Sequence, residues 1–136
     1  MPLPSGLPET VADDEPISRF MTSKSSHCNT KVVKPAAFMP NPKDGRLSVA
    51  RHGADPIEES ERMAKEDYHL EKAFGVALIE AKEIRKVELD FEADDKPLRH
   101  ADVVGWPWRE DDREFGKAEQ KEKAATLEQK AERIIF

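Results

Sequence analysis

The sequence predicts an α+β fold, with a small mixed or antiparallel sheet, a middle helix and a C-terminal helix. Three observations predict it. Two apolar runs flank a turn built from Pro40, Pro42, Asp44 and Gly45, the residue types of a hairpin connection. Asp55, Pro56 and Glu58 spell a helix start, with Asp55 as N-cap, Pro56 at the first helical position and Glu58 at the acidic position of a capping box. The tail from about residue 111 to 136 is rich in Ala, Glu, Lys and Gln, which are strong helix formers.

In chain order, residues 1–16 carry Pro2, Pro4, Pro8 and Pro16 with the acidic Asp13, Asp14 and Glu15. That composition reads as a flexible or extended arm. A core over 17–109 follows, and a charged C-terminal helix over 110–136. Ile17 to Met21 alternates as a first strand, and Thr22 to Thr30 is a polar loop. Val32 to Met39 gives a second strand, which Pro35 confines to an edge because it offers no N–H. Arg46 to Arg51 gives a third, with Leu47, Val49 and Arg51 on one face and Ser48 and Ala50 on the other. The helix started at Asp55 runs over about 56–70 on an uneven apolar stripe that includes Ile57, Met63, Ala64 and Tyr68.

Phe74 to Ile79 reads as a buried strand. Ala81 to Val87 fits either a short helix or a continuation of that strand. Glu88 to Glu92 alternates as a half-buried strand, and Asp94 to Pro97 turns the chain into a last strand, Arg99 to Trp106. Trp106 and Trp108 flank Pro107 and are expected to cover an edge of the core.

At 136 residues the chain has the length of one domain. Hydrophobic residues make up 38% and charged residues 37%, so the core is small and the surface heavily charged. The formal net charge of −6 argues against a generic nucleic-acid or anionic-membrane binder, since phosphate neutralisation needs clustered Lys and Arg. With Cys28 as its single cysteine the chain forms no internal disulfide, in keeping with a reducing cytoplasm. The first residues have neither the basic region nor the apolar run of a signal peptide. No stretch approaches the roughly 20 apolar residues of a membrane span.

Candidate chemistry centres on Arg19, Ser25, Arg51, His52 and His100 as ligand-binding residues. Guanidinium forks and hydroxyls suit phosphate or carboxylate groups, and the loop Thr22 to Ser26 has the residues for a backbone anion nest. It lacks the glycines of a P-loop. His27, His52, His69 and His100 show no metal-ligand spacing, so no metal and no cofactor are implied. Cys28 beside His27 lacks any sign of an activated thiolate. The order of Arg19, Ser48 and Glu88 or Glu92 resembles the arginine, serine and glutamate order of ADP-ribosyltransferase folds. Its spacing is short and no flanking motif accompanies it, so no function is carried over. Ile134, Ile135 and Phe136 leave an apolar cluster at the end of the expected C-terminal helix, a surface for a protein partner. The leading expectation is a small cytoplasmic bacterial accessory or binding protein with an anion or nucleotide pocket. The alternative is a small enzyme acting on a nucleotide or nucleic acid through an Arg/His/Ser site, with its catalytic residues open.

Overall fold

Alternating apolar residues on a strand put one face on a core, and in the computed structural model both faces of the sheet bury apolar residues. It describes residues 3–23, 33–52 and 60–136. Six strands, β1 (Pro16–Met21), β2 (Leu47–Arg51), β3 (Gly75–Glu80), β4 (Asp90–Ala93), β5 (His100–Val104) and β6 (Glu132–Ile135), form one sheet in the order β4-β5-β2-β1-β3-β6. Every pairing is antiparallel. With its helices, this is the α+β fold that the sequence predicts.

One face of the sheet carries Ile17, Met21, Leu47, Val49, Ala77, Ile79, Ala101 and Val103. Against it lie Ala37 and Phe38 of a single 3-10 turn, Ile84 of helix α2 (Ala81–Arg85) and Ala124 and Leu127 of helix α3 (Lys117–Lys130). The opposite face carries Phe20, Ala50 and Val76 beneath Met63 and Ala64. Those two residues belong to a helical segment that begins as α1 (Ser60–Arg62) and widens into π-helical turns over Met63–Asp67. The segment matches the central part of the expected middle helix. Its predicted start, at Asp55, Pro56 and Glu58, lies outside the described residues.

Two elements differ from the sequence reading. In place of a strand over Val32 to Met39, Val33 makes an isolated bridge and Pro35–Phe38 form a 3-10 turn, with Pro35 in its first turn. The fixed φ of proline starts such a turn without strain, and its missing N–H goes unused there. In place of one helix to the C-terminus, α3 stops at Lys130. Ala131 adopts an extended conformation (φ −88, ψ 145), and β6 then pairs with β3, Val76 opposite Ile134 and Gly75 opposite Ile135. β-Branched Ile134 and Ile135 suit a strand, and β3 would otherwise present an open edge.

The proline-rich stretch before β1 lies on the sheet. Val11 is buried in the core, the Lys82 and Ala81 amides donate to the carbonyls of Asp13 and Glu15, and Arg85 pairs with Asp13 at 2.6 Å. Two glycines fix the far end of the molecule. Gly45 has φ +68, and a Cβ there would lie 2.6 Å from the ring of Trp108, whose Nε1 donates to the Pro42 carbonyl at 3.0 Å. Gly116, with φ +70, precedes α3, and a Cβ there would meet the Pro107 carbonyl oxygen at 2.5 Å. Only glycine takes this left-handed backbone in so close an approach without penalty. Trp106 is buried in the core, as expected of the tryptophan pair.

Candidate functional site

The polar side chains gather on the sheet face that α1 covers only in part. Ser48 on β2 stands opposite Asp102 on β5, and Ala50 stands opposite His100. Because side chains alternate along each strand, all four share that face. The small Ala50 leaves the imidazole of His100 room to lean diagonally towards Ser48. Its Nε2 lies 2.8 Å from the Ser48 Oγ. Its Nδ1 lies 2.7 Å from Oδ1 of Asp94, just beyond β4.

The β4–β5 connection holds Asp94 in place. Its Oδ1 also accepts from the Lys96 amide at 3.0 Å. The neighbouring Asp95 accepts from the Arg99 amide and from the amide of Ser5. Asp95 and Arg99 both adopt positive φ, +58 and +67, around a cis Lys96–Pro97 bond. Burial pushes the Asp94 carboxyl up, but the hydrogen bonds from His100 and the Lys96 amide outweigh it and leave Asp94 below its ordinary value. An ionised Asp94 can only accept, so Nδ1 of His100 carries the proton and Nε2 is left as the acceptor for the Ser48 hydroxyl. Ser48 is exposed, whereas His100 is buried. Serine, histidine and aspartate are thus linked in series, with the histidine buried and both the Ser48 and Asp94 ends exposed.

Three groups frame this chain of hydrogen bonds. The Tyr68 ring lies 6.1 Å from the His100 ring and packs edge-on against Phe20 at 5.1 Å. Burial, followed by the charges of Asp94, Asp67 and Asp95, drives the Tyr68 hydroxyl pKa far up and keeps it neutral. Asp102 places Oδ1 3.4 Å from His100 Nε2. Arg46 spans Asp102 at 3.2 Å and Glu92 at 2.7 Å. Hydrogen bonds to Asp102 and Glu92 push its pKa up.

Asp94, His100 and Asp102 are close enough together to suggest a cation site. The geometry speaks against it: the two carboxylates approach opposite nitrogens of one ring, and a single ion binds only one of them.

Next to Ser48 is a cleft of about 420 Å³, whose lining includes Arg19, Asn41, Arg46, Ser48 and Asp102. β1 and β2 pair at Ile17↔Arg51 and Ser18↔Ala50. Beyond that point the Arg19 side chain bridges the two strands, donating from Nε to the Ala37 carbonyl at 2.9 Å and from Nη1 to the Ser48 carbonyl at 3.3 Å.

Of the residues singled out in the sequence, His100 meets the Ser48 hydroxyl and Arg19 meets the Ser48 backbone carbonyl. Ser25 falls outside the described residues. Arg51 and His52 occupy other places. Arg51 is fully buried on the α3 face, held by both carboxylate oxygens of Glu15 at 2.6 and 3.1 Å and by the Pro8 carbonyl at 2.8 Å. His52 is buried as well, hydrogen-bonded through Nε2 to the Ser18 hydroxyl. Neither lines the cleft, so neither joins the site. Their apparent exposure in the sequence came from polarity at a strand end, which the acidic stretch and Ser18 absorb. Ser48 was legible as a strand residue and as the serine of the Arg19, Ser48, Glu88 or Glu92 order, and Asp94 as a turn residue; neither was joined to His100, because the register that joins them is set by the sheet. No family model matches the chain, nor does any curated protein or solved structure.

Proposed function

We propose that the chain is a small hydrolytic enzyme that uses Ser48 as its nucleophile, His100 as general base and Asp94 as the group that orients the base. The observation that carries this is the series Ser48 Oγ, His100 Nε2, His100 Nδ1, Asp94 Oδ1, closed at 2.8 Å and 2.7 Å. It has the connectivity that serine-dependent acyl transfer requires, irrespective of fold or chain order. Ser48 Oγ forms a bond to the carbonyl carbon of an ester as its proton passes to His100 Nε2. The ester C–O bond breaks, and His100 returns that proton to the leaving oxygen. Water, passing a proton to the same nitrogen, then attacks the acyl carbon; the bond from that carbon to Ser48 Oγ breaks, the acid leaves and His100 returns the proton to Oγ. Asp94, held ionised, stabilises the imidazolium formed in each half-reaction. It shares His100 and a serine with the expected enzyme acting on a nucleotide or nucleic acid through an Arg/His/Ser site, and replaces that substrate class with an ester.

The test is labelling by a fluorophosphonate probe, followed by peptide mass spectrometry and by turnover of a p-nitrophenyl ester. Modification at Ser48 that vanishes in His100→Ala supports the reading. Absence of both labelling and turnover in the folded wild-type protein overturns it.

A second reading, a small cytoplasmic accessory protein that binds a partner through its C-terminal residues, is favoured by Ile135. This isoleucine is 46% exposed on the outermost strand β6. Its test is whether Ile135→Glu abolishes co-purification of a stoichiometric protein.

A further inference from the structure

Arg19 differs from Arg46, Arg51 and Arg85 in what balances its charge. Arg46 spans Asp102 and Glu92, Arg51 is clasped by Glu15, and Arg85 pairs with Asp13 and Asp90. Arg19 meets two carbonyl oxygens, and among the described residues no carboxylate pairs with it. It is half-buried, and burial lowers its pKa. A guanidinium withdrawn from water and supplied only with carbonyl dipoles is incompletely compensated, and an anion restores the balance. The Nε side of its fork is spent on Ala37. Nη1 donates to the Ser48 carbonyl, and Arg19 lines the cleft together with the exposed Ser48. Asp102, also in that cleft, already serves Arg46.

We infer that Arg19 is the recognition group of this cleft and that it binds the carboxylate or phosphate of a substrate whose ester is presented to Ser48. This rests on the hydrolase reading for the word substrate, but the anion site stands on Arg19 alone. The two Nη donors suit bidentate binding of either oxyanion. A neutral ester of the same size leaves the guanidinium without its counter-charge and reacts less well. The enzyme would then select esters that carry a fixed negative charge near the scissile bond.

Inorganic phosphate and acetate, titrated separately into the full chain, distinguish the two oxyanions. The side-chain NMR signals of Arg19 report site-specific binding in the wild-type protein, so the experiment does not depend on a variant's folding. Expected is a saturable shift of those signals with one or both anions, weaker by about tenfold or more in Arg19→Lys, which keeps the charge and loses the fork. Ser48→Ala should bind like the wild type. Arg19 signals that do not move with either anion overturn the inference, as does undiminished binding by Arg19→Lys. Anion binding in a protein that hydrolyses no ester upholds the site and sinks the hydrolase reading. Hydrolysis without anion binding does the reverse.

Discussion

His100 reaches diagonally across two strands to place its Nε2 2.8 Å from the hydroxyl of Ser48, while directly opposite it on β2 stands only the methyl group of Ala50. That contact is the one through which the proposed chemistry runs. His100→Ala should lower kcat by about 10²–10⁴-fold, the range for losing a general base. Ser48→Ala should abolish covalent labelling. Because the residues act as a unit, the double variant should be no slower than the worse single variant. Steady-state kinetics on the three proteins checks this. Additive losses in the double variant would show that the residues act independently.

Asp94 links activity and stability to pH. The hydrogen bonds from His100 and the Lys96 amide hold its pKa below the ordinary carboxylate value in the folded protein. A group with a depressed folded pKa contributes stability that is fully present above its unfolded pKa, and that is lost as pH falls through the folded value. Asp90, lowered by its hydrogen bonds to Arg85 and the Phe91 amide, acts in the same direction. Urea midpoints should therefore hold steady from neutrality down to about pH 4 and drop below it, near the ordinary range for Asp. Asp94→Asn should make that drop shallower and should also cut kcat by about 10³–10⁴-fold through loss of the correct imidazole tautomer. An unchanged acid limb in Asp94→Asn would refute the assignment of that stability to Asp94.

How much of this was legible beforehand depends on whether the determining contact is local. Strands β1, β2 and β4 follow from alternation, β3 from a buried apolar run and β5 from the segment after the Asp94 to Pro97 turn, and the helical α2 from a pattern that left helix and strand open. The residues of β6 have helix-compatible neighbours, and only the vacant edge of β3 makes them a strand. His100 and Arg19 were identifiable as polar residues on strands with chemistry to offer. Arg51 and His52 looked the same, yet Arg51 is neutralised by Glu15, 36 positions earlier in the chain. Sequence periodicity says which face a residue occupies. It does not say whether a distant carboxylate arrives to bury it. Asp94 shows the converse: its place beside His100 is set by a connection with positive φ at Asp95 and Arg99, a geometry that the expected turn over Asp94 to Pro97 does not specify.

The Glu15–Arg51 pair should be worth most where one partner is removed alone. Arg51 is fully buried, and its guanidinium donates to Glu15 and the Pro8 carbonyl. Glu15→Ala would strand a buried guanidinium at a cost of about 3–5 kcal/mol. It would also loosen the chain before β1. Adding Arg51→Met to that variant should recover much of the loss, because the charge that needs a partner is gone. Chemical denaturation of the two variants measures the difference. A double variant less stable than Glu15→Ala would mean that Arg51 stabilises the fold through its link to Pro8 instead.

The C-terminal strand separates a binding role from a structural one. Ile134 and Phe136 pack against Phe20, Val76 and their neighbours, and the Phe136 amide donates to the Phe74 carbonyl at 2.9 Å. Ile135, on the same strand, is half-exposed. Ile134→Ala should cost roughly 1–3 kcal/mol, in line with removing part of a buried aliphatic side chain. Ile135→Glu should change stability by no more than about 0.5 kcal/mol, as at other surface positions. Deleting residues 134–136 removes the pairings of β6 with Val76 and Gly75 and should destabilise the sheet whether or not a partner binds there. A loss of partner binding in the deletion would therefore say little, whereas the same loss in Ile135→Glu at unchanged melting temperature would place a contact on this edge. Equal destabilisation by Ile134→Ala and Ile135→Glu would refute the division of β6 into a packed and an open side.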